Sequence, residues 1–325
     1  MPAVKTSVVI CAYNRAQNVA DLLECLLAQA APDRPFEILV VDNNSKDNTQ
    51  ETIGSYIPKF QGGLRYFFEP RQGKSFALNL GIRESRGEIL AFTDDDCLVP
   101  GDYIRRVHEV FQEYGDIDFI GGRILPHWGE AKCPSWLAEV LFDDGEYEIG
   151  HERYWRRMFF RGPLAILDYG EEPARLDSSQ KAYPSFLFYG PNMAIKKSAL
   201  DKIGGFAADR AVTQDTEMCL RLVRSGMKGL YAPKVKVYHR VQADKLTPEF
   251  YRRWYFQRGK FIEPNGLTGR RFYHPLVIQS ELVLKTCLFF VKSLAARSAQ
   301  DRIYYRCRAL FNLAQMAQIA KKKLV

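Results

Sequence analysis

Along the first 125 residues, short apolar runs alternate with longer amphipathic ones. The runs at 7–11, 36–41, 64–68 and 88–92 are strand-length and bounded by polar or turn-forming residues, so they predict strands. Between them, 17–29 carries Leu22, Leu23, Leu26 and Leu27 at helical spacing. Residues 46–56, 74–85 and 102–114 also read as helices. This alternation predicts an α/β fold with a mostly parallel, doubly wound sheet flanked by helices. Periodicity weakens over 126–189, where Trp128, Trp136 and Trp155 stand among acids, prolines and glycines. That stretch predicts a long insertion, either covering substrate or packed by its own aromatics. Regular pattern resumes at Gly190-Pro191-Asn192-Met193-Ala194-Ile195, followed by a helix at 197–203 closed by Gly204-Gly205. A helix from Gln214 to about residue 225, a strand at 235–239 and a helix at 247–259 complete the pattern; Thr247 caps the last and Pro248 takes its first position. The expected organisation is a catalytic or binding domain over 1–245, containing the insertion 126–189, and a basic helical extension over 246–325.

Charge sharpens that division. The net charge is +8, yet residues 252–325 hold 15 Lys+Arg against 3 Asp+Glu, and residues 1–251 hold 31 against 35. A basic C-terminal quarter suits an anionic membrane surface or a nucleic acid. The apolar stretch 276–296 is interrupted by Gln279, Glu281, Lys285 and Lys292; the three charged residues share one helical face. It reads as an interfacial helix or a core-packing one rather than a membrane span. Seven cysteines without paired spacing point to a reducing compartment and to no zinc site. Met1–Lys5 leads directly into a strand and does not read as a signal peptide.

The chemistry collects at the carboxyl ends of the predicted strands, where doubly wound sheets bind their ligands. The first strand ends in Ala12-Tyr13-Asn14-Arg15, the second in Asp42-Asn43-Asn44-Ser45, the third leads to Gly73-Lys74, and the fourth ends in Asp94-Asp95-Asp96. Three adjacent carboxylates repel one another unless cations or donors hold them. Hard oxygens suit Mg²⁺ or Mn²⁺, and such ions commonly accompany phosphate-bearing substrates. Read alone, the triplet also fits a solvated turn before a helix cap, Asn43-Asn44-Ser45 fits a turn, and Asp215 fits a helix N-terminus.

Taken in order and spacing, these motifs resemble family 2 glycosyltransferases of the GT-A fold. The resemblance covers roughly residues 5–240 and rests on Val8–Arg15, Val40–Ser45, Gly73-Lys74-Ser75 through Asn79-Leu80-Gly81-Ile82, Phe92–Asp96, Gly190–Ile195, Gly204-Gly205-Phe206 and Gln214–Leu222. It implies transfer of a sugar from a nucleotide diphosphate sugar to an acceptor hydroxyl, with inversion. UDP is the default donor by family habit. By position, Ala12, Tyr13, Asn14, Arg15, Asp42, Lys74, Asp94 and Asp95 match the donor nucleotide site. The triplet matches the family's metal and ribose motif, with Asp96 favoured as the direct ligand of Mn²⁺ or Mg²⁺. His239 fits either a further metal ligand or a strand-end histidine bonded to backbone, and Asp215 matches the catalytic base. Gly190, Asn192, Gln214, Glu217 and Trp136 are assigned to the acceptor side. The family often has Glu before the base, whereas this chain has Gln214, which leaves Asp215 slightly less basic. The segment 251–258 is similar in part to the Arg-Trp motif of processive members. Without large membrane-spanning helices, a single transfer per encounter is expected.

Two other classes compete. A sugar nucleotidyltransferase wants a glycine-rich basic loop after the first strand, and Ala12-Tyr13-Asn14-Arg15 has no glycine. A non-enzymatic basic adaptor for membrane or nucleic acid accounts for 252–325 but leaves Asp42, the Asp triplet and Asp215 without a role. The expectation is therefore a cytoplasmic, metal-dependent glycosyltransferase serving cell-surface polysaccharide or glycolipid biosynthesis. Its expected partners are a nucleotide sugar and a glycan or lipid-linked acceptor. Peripheral contact of the basic helices with the inner membrane face is expected, and nucleic acid is not.

Overall fold

A computed structural model of the chain describes residues 4–29, 35–142, 152–176, 188–208, 214–261 and 275–322. In chain order the strands and α-helices are β1 (Thr6–Ala12), α1 (Ala16–Leu27), β2 (Phe36–Asp42), α2 (Thr49–Tyr56), β3 (Leu64–Phe68), α3 (Lys74–Glu84), β4 (Ile89–Asp94), β5 (Cys97–Leu98), α4 (Tyr103–Glu113) and β6 (Phe119–His127). Then follow α5 (Ser135–Leu141), α6 (Glu152–Arg161), β7 (Ala174–Leu176), β8 (Met193–Lys196), α7 (Lys197–Ile203), α8 (Gln214–Arg224), β9 (Gly229–Arg240), α9 (Pro248–Phe261), α10 (Pro275–Ala295) and α11 (Ala299–Lys322). The chain divides into two units. One takes the residues up to 127 and the described residues from 165 to 240; the other takes 128–164 and the residues from 241 onward.

The first unit is built on one sheet in the order β3-β2-β1-β4-β8-β6-β9-β5, with β7 added on β9. The half from β3 to β4 is wholly parallel. Beyond β4 the sheet is mixed: β8 runs antiparallel to both neighbours, while β6 and β9 are parallel. The parallel half follows from its sequence. Val8, Val9 and Ile10 of β1 and Ile38, Leu39, Val40 and Val41 of β2 are fully buried, as uninterrupted apolar strands must be when both faces are covered. Helix α1 buries Val19, Leu22, Leu23 and Leu26. Helix α3 lies close against β1 because residue 81 is glycine; a Cβ there would stand 2.4 Å from Val9 Cγ1.

Several expectations shift. Helix α2 begins at Thr49 rather than residue 46, because the Asp47 carboxylate accepts from the backbone N–H groups of Thr49 and Ala16 and keeps 45–48 as a loop. The last sheet strand extends from the expected 235–239 to all of β9, and β6 was not foreseen. Their parallel pairing slips between Gly122 and Arg123, which breaks the two-residue alternation a strand normally displays. The Asn192 amide bridges this slip by donating to the carbonyls of Arg123 and Val235, each at 3.0 Å. Gly122 makes room for it, since a Cβ there would stand 2.2 Å from Asn192 Nδ2. Asn192 is buried, so Asn192→Ala is expected to lower unfolding free energy by about 1–3 kcal/mol, read as a reduced urea midpoint with an unchanged slope.

The second unit packs aromatic side chains between its helices. Trp136 of α5 lies edge-on to Phe160 and Tyr251, and Phe159 stacks on Tyr255 with ring centres 3.9 Å apart. The Tyr251 and Tyr255 hydroxyls donate to the carbonyls of Phe160 and Phe159. Part of the expected insertion therefore groups with the C-terminal helices.

Candidate active site

The parallel register brings the strand ends together. Ala12 pairs with Asp42, and Cys11 with Asp94. Asp42 is buried; its oxygens accept from Ser45 N at 2.9 Å and the Tyr66 hydroxyl at 3.2 Å. Burial, then the Asp42 charge, pushes the Tyr66 hydroxyl up to about 12, so it stays a donor. Asn43 clamps the next loop. Its amide donates to the carbonyls of Glu69 and Arg71, and its Oδ1 accepts from Gly73 N. Gly73 has φ of 139°, a conformation suited to glycine, and releases the chain into α3 with Lys74 first.

The three carboxylates after β4 divide among Lys74, Arg15 and His239, with Arg15 shared by Asp95 and Asp96. Asp94 Oδ1 accepts from Lys74 Nζ at 2.5 Å. Asp95 Oδ1 accepts from the Arg15 guanidinium at 3.0 Å, and Asp95 Oδ2 from the Tyr13 backbone N–H at 3.4 Å. Asp96 meets Arg15 through Oδ2 at 2.5 Å and His239 Nε2 through Oδ1 at 3.2 Å. Burial pushes the Asp95 carboxyl up to about 7; Arg15 and Lys74 oppose that rise, while Asp96 and Asp94 add to it. Burial works against the Lys74 ammonium, but Asp94, then Cys11 and Asp215, hold it above the ordinary lysine range. Burial pushes the Cys11 thiol up to about 12, which leaves it a neutral, poor nucleophile beside the acids.

Asp215 stands at the start of α8. Its Oδ1 accepts from Thr216 N at 2.7 Å and its Oδ2 from Gly190 N at 3.1 Å. A Cβ on Gly190 would lie 3.7 Å from Asp215 Cβ and 3.9 Å from Lys74 Nζ, so Gly190, Lys74 and Asp215 border one space. The site thus gathers Asp94, Asp95, Asp96 and Asp215 around Arg15 and Lys74, with Asp42 at the end of the neighbouring strand.

Other expected residues sit differently. Arg15 faces the acids rather than standing free in a base-lining loop. Asn14 takes a left-handed φ of 52°, and its Oδ1 accepts from Lys46 N, so its side chain braces two loops. Ala12 is buried and joins through its carbonyl to Asn43 N, while Tyr13 presents an exposed ring. Asn192 is spent on backbone carbonyls. Glu217 pairs with Arg221, which also donates to the carbonyls of Ile203 and Gly205 and so fixes the turn after α7. Gln214 has a buried Oε1 with no partner among the described residues. Trp136 belongs to the aromatic cluster of the second unit, and the side chain of Trp155 lies outside the described residues. Among the described residues, no group of three His, Cys, Asp or Glu is arranged to hold a metal alone.

Sequence reasoning gave no role to Tyr66, Asn43 or Arg240. Arg240 follows His239; its N–H donates to the Asp96 carbonyl, and its guanidinium reaches Asn18 and Asp21 of α1. A basic residue directly after a candidate ligand was the available signal.

The model of the family described as Glycosyl transferase family 2 matches residues 7–204. The chain belongs to that family, whose members are glycosyltransferases. Glycosyltransferase AglE of Haloferax volcanii is 34% identical over 128 residues, 38% of this chain and 42% of the relative's length. The glucosyl-dolichyl phosphate glucuronosyltransferase of the same organism is 23% identical over 73% of this chain and 70% of its own. Among solved structures, a Pyrobaculum calidifontis mannosyltransferase in complex with GDP-Man and Mn²⁺ aligns at a TM-score of 0.53 and 17% identity, covering 98% of this chain and 73% of that one. S. aureus TarS 1–349 in complex with UDP aligns at 0.51 and 15%, covering 99% and 92%. The fold is GT-A.

Proposed function

We propose that the chain transfers a sugar from a nucleotide diphosphate sugar to a hydroxyl of a glycan or lipid-linked acceptor, with inversion at the anomeric carbon. The observation that carries this reading is the division of labour in the triplet: Asp94 on Lys74, Asp95 on Arg15, Asp96 between Arg15 and His239. A solvated turn would not engage each of three consecutive acids with a partly buried basic partner.

Asp42 and Tyr66 hold the nucleoside, and the Tyr13–Arg15 turn borders it. Lys74 and Arg15 face the diphosphate. Asp215 accepts the proton of the acceptor hydroxyl as that oxygen bonds to the anomeric carbon, and the nucleoside diphosphate departs from the opposite face. Gly190 leaves room for the acceptor beside Asp215, and Gln214 adjoins it.

A divalent ion fits the donor set. Asp96 Oδ1 and His239 Nε2 are 3.2 Å apart, and neighbouring ligands on an octahedral ion with bonds near 2.1 Å stand about 3 Å apart. Mn²⁺ or Mg²⁺ there would take its remaining ligands from the diphosphate and water, and would neutralise charge developing on the leaving phosphate. Among the described residues, His239 Nδ1 has no partner of the kind that normally orients a metal-bound imidazole.

UDP is the default donor nucleotide; the UDP complex of TarS supports it, and the GDP-Man complex of the mannosyltransferase makes GDP the alternative to test. The relative named for glucosyl-dolichyl phosphate supports a lipid-linked acceptor, presented at the inner membrane face to basic C-terminal helices in peripheral contact. One transfer occurs per encounter, in polysaccharide or glycolipid biosynthesis. Thermal unfolding with UDP-, GDP-, CDP- and dTDP-sugars, with and without Mn²⁺, tests the donor reading. One nucleotide should raise the melting temperature in a metal-dependent manner, because a ligand of the native state stabilises it by mass action. No shift with any donor, in a folded sample, would point to a donor site completed only by the acceptor or the membrane, or to the non-enzymatic adaptor.

A further inference from the structure

Helix α10 has two unlike sides. Its inner side is occupied: Leu282 and Ser293 are buried, Phe289 stacks on Tyr305 of α11, and Arg308 lies over the Phe289 ring. Its outer side carries Val283, Leu284, Leu288, Phe290, Val291 and Leu294, each between 48% and 71% exposed. At 3.6 residues per turn these six fall within an arc of about 160° and extend over about 16 Å of helix. No charged residue falls inside the arc. Glu281, Lys285 and Lys292 run along one border, where Lys285 pairs with Glu281 and Lys292 lies over the Tyr305 ring, and exposed Arg297 follows the helix end. A contiguous bare apolar strip of this kind, edged by charged side chains, marks an interaction surface.

We infer that the outer face of α10 lies in the surface of an anionic bilayer, with its apolar side chains among the acyl chains and its border lysines at the headgroups. This deepens the peripheral contact proposed above by naming the face, the mode and the lipid charge. No described helix is long and apolar enough to cross a membrane, and α11 covers one side of α10, so the helix rests in the interface plane. Lysine stems can lie along the apolar boundary while their ammonium groups reach the phosphates. A second copy of the chain is the competing occupant, and charge disfavours it. Residues 252–325 carry 15 Lys+Arg against 3 Asp+Glu, so two such faces in contact would bring like charge together. Anionic headgroups attract the same residues.

The test uses the full chain and needs no donor, so its failure is separate from failure of the glycosyltransferase reading. Sedimentation is compared with vesicles of phosphatidylcholine alone and of phosphatidylcholine mixed with phosphatidylglycerol, alongside light scattering without vesicles. The chain should bind the mixed vesicles and bind the neutral ones far less. Leu284→Glu with Val291→Glu, both on exposed positions, should weaken binding by about a hundredfold or more with an unchanged melting temperature. Lys285→Gln with Lys292→Gln should reduce the preference for the anionic vesicles. Equal binding to both vesicle types would overturn the charge assignment. A dimer abolished by the double glutamate variant, without vesicle binding, would assign the face to a second copy.

Discussion

Asp215→Asn is expected to lower kcat by about 10²- to 10⁴-fold while leaving donor binding near that of the natural chain. The substitution keeps the size of the side chain and removes its capacity to take a proton. In the structure both carboxylate oxygens accept backbone N–H groups, from Thr216 and Gly190. An amide can satisfy only one of them with oxygen, so a modest loss of stability accompanies the change. That loss is the entire expected effect if Asp215 merely caps α8, for which about 0.5–2 kcal/mol is usual. The two roles separate cleanly in one set of measurements. A base gives a collapsed kcat, a retained donor-induced shift in melting temperature and little change in donor KM. A cap gives a lowered melting temperature and near-normal turnover. Donor binding lost along with kcat would instead assign Asp215 to the nucleotide, through Lys74, whose ammonium feels its charge.

The parallel half of the fold was legible because its determinants are local. Runs such as Val8-Val9-Ile10 and Leu39-Val40-Val41 are too short for helices and too apolar for one-sided strands, and each stops at a polar turn. The acid triplet was legible for the same reason. The partners of its members were not. Arg15 belongs to the first strand's turn by sequence, yet its guanidinium lies on Asp95 and Asp96, some eighty residues on. Arg240 reaches back to Asp21 across nearly the whole first unit. Such contacts depend on which loops the sheet order brings together, and no periodicity encodes that order. Strand β6 breaks the expected pattern because Gly121, Gly122 and Pro126 interrupt it, and its slip against β9 is bridged by the distant Asn192 amide. Asn192 and Glu217 fell within the matched motifs, and their types suit substrate contacts. Burial against carbonyls in one case and pairing with Arg221 in the other commit them to the scaffold. The grouping of α5 and α6 with the C-terminal helices was equally hidden, because it rests on contacts such as the Tyr251 hydroxyl on the Phe160 carbonyl.

Asp96→Ala is expected to remove the Mn²⁺-dependent part of donor binding, weakening it by about a hundredfold or more. Asp96 is the triplet member placed against His239, and one of its oxygens faces that imidazole while Arg15 holds the other. A cation between Asp96 Oδ1 and His239 Nε2 therefore need not displace Arg15. Asp95 makes a different connection. It accepts from Arg15 and from the Tyr13 backbone, and burial pushes its carboxyl up to about 7, so it carries less negative charge at neutral pH than an ordinary aspartate. Asp95→Ala should accordingly weaken nucleotide binding with and without Mn²⁺ alike, by loosening the Tyr13–Arg15 turn. Titration calorimetry of nucleotide into each variant, at fixed Mn²⁺ and in its absence, compares the two. Metal dependence lost in Asp96→Ala and kept in Asp95→Ala assigns the direct ligand. The reverse pattern would move the ion toward Arg15, where the guanidinium would have to leave the acids before a cation could enter, and metal binding would then compete with that ion pair rather than coexist with it.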